Sequence, residues 1–214
     1  MDRQATRELI GVYGAAGCGR GILPLVREQN RDAEVIFIDD GRAGETINGH
    51  DCVDWQGFLA RPATLRRVCL AIANSQVRER LARTCDQSGI ALAEARAANV
   101  VQMDDVQIGD GACLSPFVTL TSNIRIGRAF HANLYAYVEH DCRVGDFVTL
   151  APGAMINGNV TLGDHVYVGA GAVIRQGLSI GEGAIIGMGA VITRNVPAGV
   201  TVVGNPARQM ERRS

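Results

Sequence analysis

The chain has 214 residues, 47% of them apolar and 20% charged, which suits one large domain or two small ones and excludes a disordered chain. Formal charge is −1 and the basic residues form no long run, so neither nucleic acid nor anionic lipid is an expected partner. No apolar run approaches the roughly 20 residues that cross a bilayer, and six cysteines without a Cys-x-x-Cys pair argue against a zinc site or a disulfide framework, making a reducing cytoplasm the expected compartment.

The opening Met1-Asp2-Arg3-Gln4-Ala5-Thr6-Arg7-Glu8 leads straight into a strand-like segment, so no signal peptide is expected. Residues 9–14 read as a buried strand, 14–19 as a tight glycine turn, and 21–29 as a helix with Ile22, Leu25 and Val26 on one face. Residues 34–40 give a second strand and 68–73 a third, which ends at Asn74, an N-cap for a helix over 75–84. Residues 89–93 form a short strand leading out of this half. Strands alternating with helices predict a small Rossmann-like α/β domain over residues 1–97.

A glycine turn between strand and helix lets backbone N–H groups approach a phosphate at the helix start, which makes Gly14, Ala16, Gly17 and Cys18 candidates for a nucleotide. Asp39 or Asp40, closing the second strand, suits hydrogen bonds from a ribose or a base. The glycines fall at 14, 17, 19 and 21, which is not G-x-G-x-x-G, so a nicotinamide dehydrogenase is weakly supported. The same glycines serve equally for close packing alone, and Cys18 reads as a small buried residue or as a reactive thiol near a helix start. His50 lies in a linker-like stretch and is expected at the surface.

The second half repeats. Ile108, Ile126, Val144, Leu162 and Ile180 are 18 residues apart, each followed by glycine, and Val106, Ile124, Cys142, Val160, Leu178 and Val196 form a row two residues earlier. Leu120, Val138, Ile156, Ile174 and Ile192 make another row, and Leu114, Ala132, Leu150, Val168 and Ile186 a further one. A six-residue period means a short strand, a corner and another strand, three times per coil: a parallel β-helix of triangular section over residues 98–214, closed by a cap over 197–208. The glycine after the inward aliphatic is expected at a corner of positive φ. A β-sandwich predicts irregular spacing and does not explain five in-register pairs.

Four histidines stand at 50, 131, 140 and 165. His140, in Val138-Glu139-His140-Asp141-Cys142, falls at an outward corner between two carboxylates, where a neutral imidazole serves as general base with Glu139 or Asp141 orienting it; a solvated corner histidine is the competing reading. One coil on, Gly158 leaves an open slot beside His140, where its N–H is expected to face an oxyanion. Asn133 and Tyr135 are candidates for the same cleft, while His131 and His165 are expected to face solvent.

These residues resemble the hexapeptide-repeat, left-handed β-helix sugar acetyltransferases of the PglD/NeuD type over nearly the whole chain. The carriers are Gly14-Ala15-Ala16-Gly17-Cys18-Gly19-Arg20, Phe37-Ile38-Asp39-Asp40, Ala71-Ile72-Ala73-Asn74, residues 138–146, Ala151-Pro152-Gly153-Ala154 and Val203-Gly204-Asn205-Pro206-Ala207-Arg208. The resemblance implies the left hand of the coil, against the usual right-handed crossover. It implies a homotrimer with sites between neighbouring prisms, acetyl-CoA as co-substrate with no metal, and a nucleotide-linked amino sugar or a sialic acid as acceptor in surface-glycan biosynthesis. It assigns His140 as base and Asp141 as its acidic partner, Ala16, Gly17, Cys18, Asp39, Asp40 and Ala73 to the nucleotide sugar, and Thr149, Ala170 and Met188 to the acyl-CoA. Cys18 and Thr149 stand where the family has histidines and Ala73 where it has glycine, so the acceptor pocket is the part that differs most. The alternative is a non-catalytic trimeric scaffold or nucleotide-sugar-binding protein, which would lack the corner histidine.

Overall fold

Residues 8–210 are described by the computed structural model, so the opening seven residues, on which the signal-peptide expectation rests, lie outside it. The chain divides between Arg96 and Ala97 into two compact units.

In the first unit, strand β1 (Glu8–Tyr13) lies between β2 (Glu34–Ile38) and β5 (Leu65–Leu70), parallel to both. Two elements had no sequence signal: a hairpin of β3 (Thr46–Ile47) and β4 (His50–Val53), and a short helix α2 (Trp55–Ala60). With β6 (Ala91–Leu92) the sheet runs β3-β4-β2-β1-β5-β6, antiparallel only within the hairpin. Its central strands are continuous apolar runs because helices cover both faces: Leu9, Ile10, Val12, Phe37, Ile38, Val68, Cys69 and Leu70 are all solvent-excluded. His50 is therefore in a strand, half-buried, with Nδ1 3.1 Å from the Val35 carbonyl oxygen, and is not a linker residue.

Helix α1 (Gly17–Gln29) starts four residues earlier than its side-chain pattern predicts and buries Leu23, with Ile22 and Val26, in place of Leu25. The reason lies in the glycine turn. A Cβ on Gly19 would stand 1.7 Å from the Gly14 carbonyl oxygen, so the helix start packs on the turn with no side chain between them. Helix α3 (Ser75–Gln87) begins as expected: the Asn74 side chain accepts hydrogen bonds from the amides of Gln76 and Val77 at 3.1 and 3.0 Å.

The second unit is a left-handed parallel β-helix with three faces. The first face stacks Cys113–Leu114, His131–Ala132, Thr149–Leu150, Tyr167–Val168, Ile185–Ile186 and Thr201–Gly204. The second stacks Val101–Gln102, Thr119–Leu120, Tyr137–Val138, Met155–Ile156, Val173–Ile174 and Val191–Ile192. The third stacks Val106–Ile108, Ile124–Ile126, Arg143–Val144, Thr161–Leu162 and Ser179–Ile180. Pairing is in register at 18 residues, as in Arg125 with Arg143 and Tyr137 with Met155. The aliphatic rows fill the prism in one contiguous core, each buried Val, Leu or Ile contributing roughly 1.5–3 kcal/mol of transfer free energy. The closing segment turns Thr201–Gly204 back on Ala207–Gln209 as an antiparallel hairpin, so the cap extends the first face.

The glycine expectation is corrected. Gly109, Gly127, Gly145, Gly163 and Gly181 do not adopt positive φ; the left-handed residue comes two positions later, at Gly111, Ala129, Phe147, His165 and Gly183. These five glycines are required by contact between coils, since an added Cβ would stand 2.3–2.7 Å from a backbone nitrogen of the next coil. Left-handed corners recur every sixth residue from Asp105 to Gly189, and many are held by Asn, Asp or Gly, which tolerate that conformation best.

Candidate active site

His140 stands at the corner between the second and third faces, after Tyr137–Val138 and before Arg143–Val144. Val138 and Cys142 point into the core, which forces the three residues between them outward. His140 Nδ1 lies 2.8 Å from Asp141 Oδ2, and the two side chains are 61% and 53% exposed. Asp141 occupies a left-handed corner, φ 62°. Its carboxyl is held below its ordinary value by the hydrogen bond with His140 and by a second from Asn123 Nδ2, at 3.2 Å to Oδ1. With Asp141 ionised, Nδ1 carries the proton and the Nε2 lone pair is left for chemistry.

Gly158 lies directly under this imidazole: a Cβ there would stand 2.5 Å from both Cε1 and Nε2 of His140. The slot foreseen beside His140 is thus filled by the ring itself. The Gly158 amide also differs from expectation, since it donates to Glu139 Oε2 at 3.1 Å and is already engaged, which removes it as a ready oxyanion donor. Glu139 thereby ties one coil to the next, while Asp141 holds the ring. Behind the corner, the Cys142 thiol lies 3.3 Å from the Asn157 carbonyl oxygen and accepts from the Val160 amide, and burial raises its pKa. Tyr137 donates to Asn157 Oδ1 at 2.9 Å, its phenol pushed up by burial and by Glu139.

Asn133 and Tyr135 are at a different corner, between the first and second faces, where Tyr135 stacks on Phe117 and Asn133 donates to the Leu150 carbonyl. Thr149 sits on the first face, opposite the His140 corner, and is 4% exposed; Ala170 and Met188 are exposed at the corner that follows that face, Met188 at 82%. None of the three adjoins His140 within one prism. His131 is buried on the first face, and His165 is half-buried against Phe147, rings 5.3 Å apart, so neither is simply solvent-facing. Arg194 and Arg208 line a cleft of about 190 Å³ at the end of the coil.

In the first unit the glycines separate into two kinds. Gly14, φ 103°, and Gly19 are fixed by the turn, whereas added Cβ atoms on Gly17 and Gly21 meet nothing within 4 Å. Ala16 caps α1 without a side-chain hydrogen bond, Ala16 and Gly17 are exposed, and Cys18 is half-buried. Both aspartates have internal partners. Asp39 accepts from the amides of Ala15 and Gly41, at 3.0 and 3.1 Å; Asp40 accepts from the Tyr13 hydroxyl and the Trp55 amide, at 2.9 and 3.1 Å. Each therefore shapes the rim of the glycine turn and retains lone pairs for a ligand. Ala73 is exposed, and the buried Arg78 guanidinium holds its carbonyl and that of Ile72.

Residues 9–85 match the PglD N-terminal domain, and residues 141–176 and 159–194 match the bacterial transferase hexapeptide repeats. The chain is 46% identical to the GDP-perosamine N-acetyltransferase of Escherichia coli O157:H7, over 95% of this chain and 97% of that one. The chain belongs to the hexapeptide-repeat sugar acetyltransferases of the PglD type. Among solved structures, WeeI from Acinetobacter baumannii AYE is 51% identical with a TM-score of 0.93, over 95% of this chain and all of that one. The acetyltransferase domain of PglB from Neisseria gonorrhoeae FA1090 in complex with acetyl coenzyme A is 27% identical with a TM-score of 0.86, over 95% of this chain and 100% of that one. Membership makes acetyl-CoA the co-substrate; among the described residues no group of His, Cys, Asp and Glu is arranged to hold a metal, and no helix is long and apolar enough to cross a membrane.

Sequence reasoning missed Asn123, Tyr137 and Asn157. Asn123 was within reach of the repeat: it stands 18 residues before Asp141, hence directly beside it in the corner row.

Proposed function

We propose that the chain N-acetylates a nucleotide-linked amino sugar, with residues 1–97 holding the nucleotide and residues 98–214 carrying out transfer. His140 Nε2 takes the proton of the sugar amine as the nitrogen attacks the thioester carbon; the tetrahedral intermediate collapses, the carbon–sulfur bond breaks, and the departing sulfur takes the proton back from the imidazolium, so CoA leaves as the thiol and His140 is neutral again. The observation that carries this reading is the His140–Asp141 hydrogen bond at an exposed corner, which engages Nδ1 and, among the described residues, leaves Nε2 without a hydrogen bond. A GDP-linked 4-amino sugar of the perosamine kind is the acceptor, on the strength of the relative that shares nearly its full length. The pyrophosphate would lie at the uncapped start of α1 beside Gly17, with Asp39, Asp40 and Ala73 around the nucleotide. Because the donor is a cytoplasmic metabolite, the step belongs to the cytoplasm and to the supply of N-acetylated sugars for surface glycans.

The active form is proposed to be a trimer. Thr149, Ala170 and Met188 lie on another face and corner from His140, so a donor that touches all four must lie between two prisms. Exposed Leu134, Tyr135, Met155, Tyr167, Ile185 and Met188 supply an apolar surface for that contact. Arg194 and Arg208, at the end of the coil, suit the donor phosphates.

The test is thiol release from acetyl-CoA with GDP-perosamine and with UDP-linked 4-amino sugars, in wild type and His140→Ala, together with the solution mass. Turnover on the GDP sugar, a fall of about 10²–10⁴-fold in the variant, and a mass three times the 22.7 kDa chain are expected. Undiminished turnover in His140→Ala would remove the base assignment.

A further inference from the structure

The Asp141 carboxylate uses its two oxygens on two sides. Oδ2 accepts from His140 Nδ1 at 2.8 Å, and Oδ1 accepts from Asn123 Nδ2 at 3.2 Å. Asn123 and Asp141 occupy equivalent left-handed corners of successive coils, φ 60° and 62°, and the next, Asn159, has φ 55°. Each corner amide is bonded to the coil before it: Asn123 to the Asp104 carbonyl at 3.1 Å, Asp141 to Ser122 at 3.1 Å and Asn159 to His140 at 2.8 Å. The backbones beneath the three side chains are therefore fixed relative to one another, and the side chains form a row along the corner.

The Asn123 amide has only one workable orientation here. Its oxygen would face the Asp141 carboxylate if the group were turned over, so electrostatics places the NH₂ toward Oδ1. Asp141 is otherwise exposed, and a carboxylate anchored through one oxygen is free to rotate and to exchange the imidazole for water. Anchoring the second oxygen fixes the plane of the carboxylate, which fixes the line along which Nδ1–H donates. The imidazole is then held as the Nδ1–H tautomer, with Nε2 and Cε1 over Gly158.

We propose that Asn123 is a positioning residue for His140, acting through Asp141 to hold the tautomer and ring orientation that the base requires. The proposal rests on the reading of His140 as base for its kinetic consequence, whereas its tautomer consequence stands on geometry alone. Asn123→Gly is the informative variant because glycine keeps the left-handed backbone, and Asn123→Asp keeps the shape while turning the donor into an acceptor. The measurements are kcat and KM for both substrates, the thermal midpoint, and the tautomer of His140 by ¹⁵N imidazole NMR with His140→Ala for assignment.

Asn123→Gly is expected to lower kcat about 10-fold, the scale on which outer hydrogen-bond partners act on metal-bound imidazoles, with both KM values unchanged and with the Nε2–H tautomer becoming visible. Asn123→Asp is expected to do at least as much at an unchanged midpoint, and Asn123→Gly is expected to add nothing in an Asp141→Asn background. A single Nδ1–H tautomer in both variants would overturn the proposal, as would a kcat loss in Asn123→Gly that Asn123→Asp does not share. Full activity in His140→Ala would instead overturn the base assignment and leave the tautomer result to decide on Asn123.

Discussion

Replacing Gly158 by alanine places a methyl carbon 2.5 Å from Cε1 and Nε2 of His140 and 3.1 Å from Nδ1. Carbon contacts are comfortable at about 3.5–4.0 Å, so the ring must retreat by roughly 1 Å, and a retreat of that size breaks the 2.8 Å bond to Asp141 unless the ring also turns. The three atoms nearest to that methyl carbon all belong to His140, Gly158 has no positive φ, and the imidazole is 61% exposed and can swing into water. Misplacing a reacting group by about 1 Å costs on the order of 100-fold in rate, equivalent to about 2.7 kcal/mol of transition-state stabilisation. The folded state should hardly notice, with a change within about 0.5 kcal/mol. Thiol-release kinetics and thermal denaturation of Gly158→Ala, alone and combined with His140→Ala, test this. The single variant is expected to lose about 100-fold in kcat/KM at an unchanged midpoint, and the combination to be no worse than His140→Ala. Wild-type kcat/KM in Gly158→Ala, or an equal further loss in the His140→Ala background, would refute the argument that this glycine exists to seat the imidazole.

Other consequences follow from the same contacts. Gly19→Ala drives a methyl carbon into the Gly14 carbonyl oxygen and should destabilise the first unit by more than about 3 kcal/mol, whereas Gly17→Ala meets open space, so its midpoint should hold while acceptor KM rises; denaturation and kinetics of the pair check both. Gly145→Ala sets a methyl carbon 2.7 Å from the Asp164 nitrogen and should cost at least about 2 kcal/mol by urea unfolding, a loss that glycine substituted at Phe147, the left-handed position, cannot relieve. Asp141 has a folded-state pKa below its ordinary 3.8, so its contribution to stability is present above that value and disappears as pH falls through the lowered one. Carboxylate NMR should show the Asp141 pKa rising in both Asn123→Gly and His140→Ala.

The coil was legible because its register is a count: buried rows 18 residues apart leave their mark directly in the aliphatics. The glycines beside those rows were legible as positions but not as causes, since a tight φ and a close contact both select the smallest residue. His131 shows another limit. Alternation along Phe130, His131 and Ala132 sets the side from which the imidazole leaves, but not what covers it, and it is buried while Tyr167 and Ile185 in the same row are exposed. The β3–β4 hairpin escaped notice because its strands are two and four residues long with no apolar alternation. Helix α1 was shortened because glycines carry no phase, so the amphipathic pattern became visible only from Ile22. At the His140 corner, Glu139, His140 and Asp141 were singled out by their chemistry and Gly158 by the repeat, yet the bond from Gly158 to Glu139 depends on a side-chain rotamer that spacing cannot supply.

The regular left-handed corners make the coil a ruler with two graduations. Six residues move a side chain to the next edge of the prism, and eighteen move it one rung, about 4.8 Å, along the same edge. A length change that is not a multiple of six would turn the aliphatic rows out of the core, so the spacing between His140 and the end of the coil is quantised. Excising one whole rung beyond Gly158 should leave a folded prism whose far end, with the cleft of Arg194 and Arg208, has moved by a single step; if that cleft takes the donor phosphates as proposed, this sets the length of the bound thioester by counting residues.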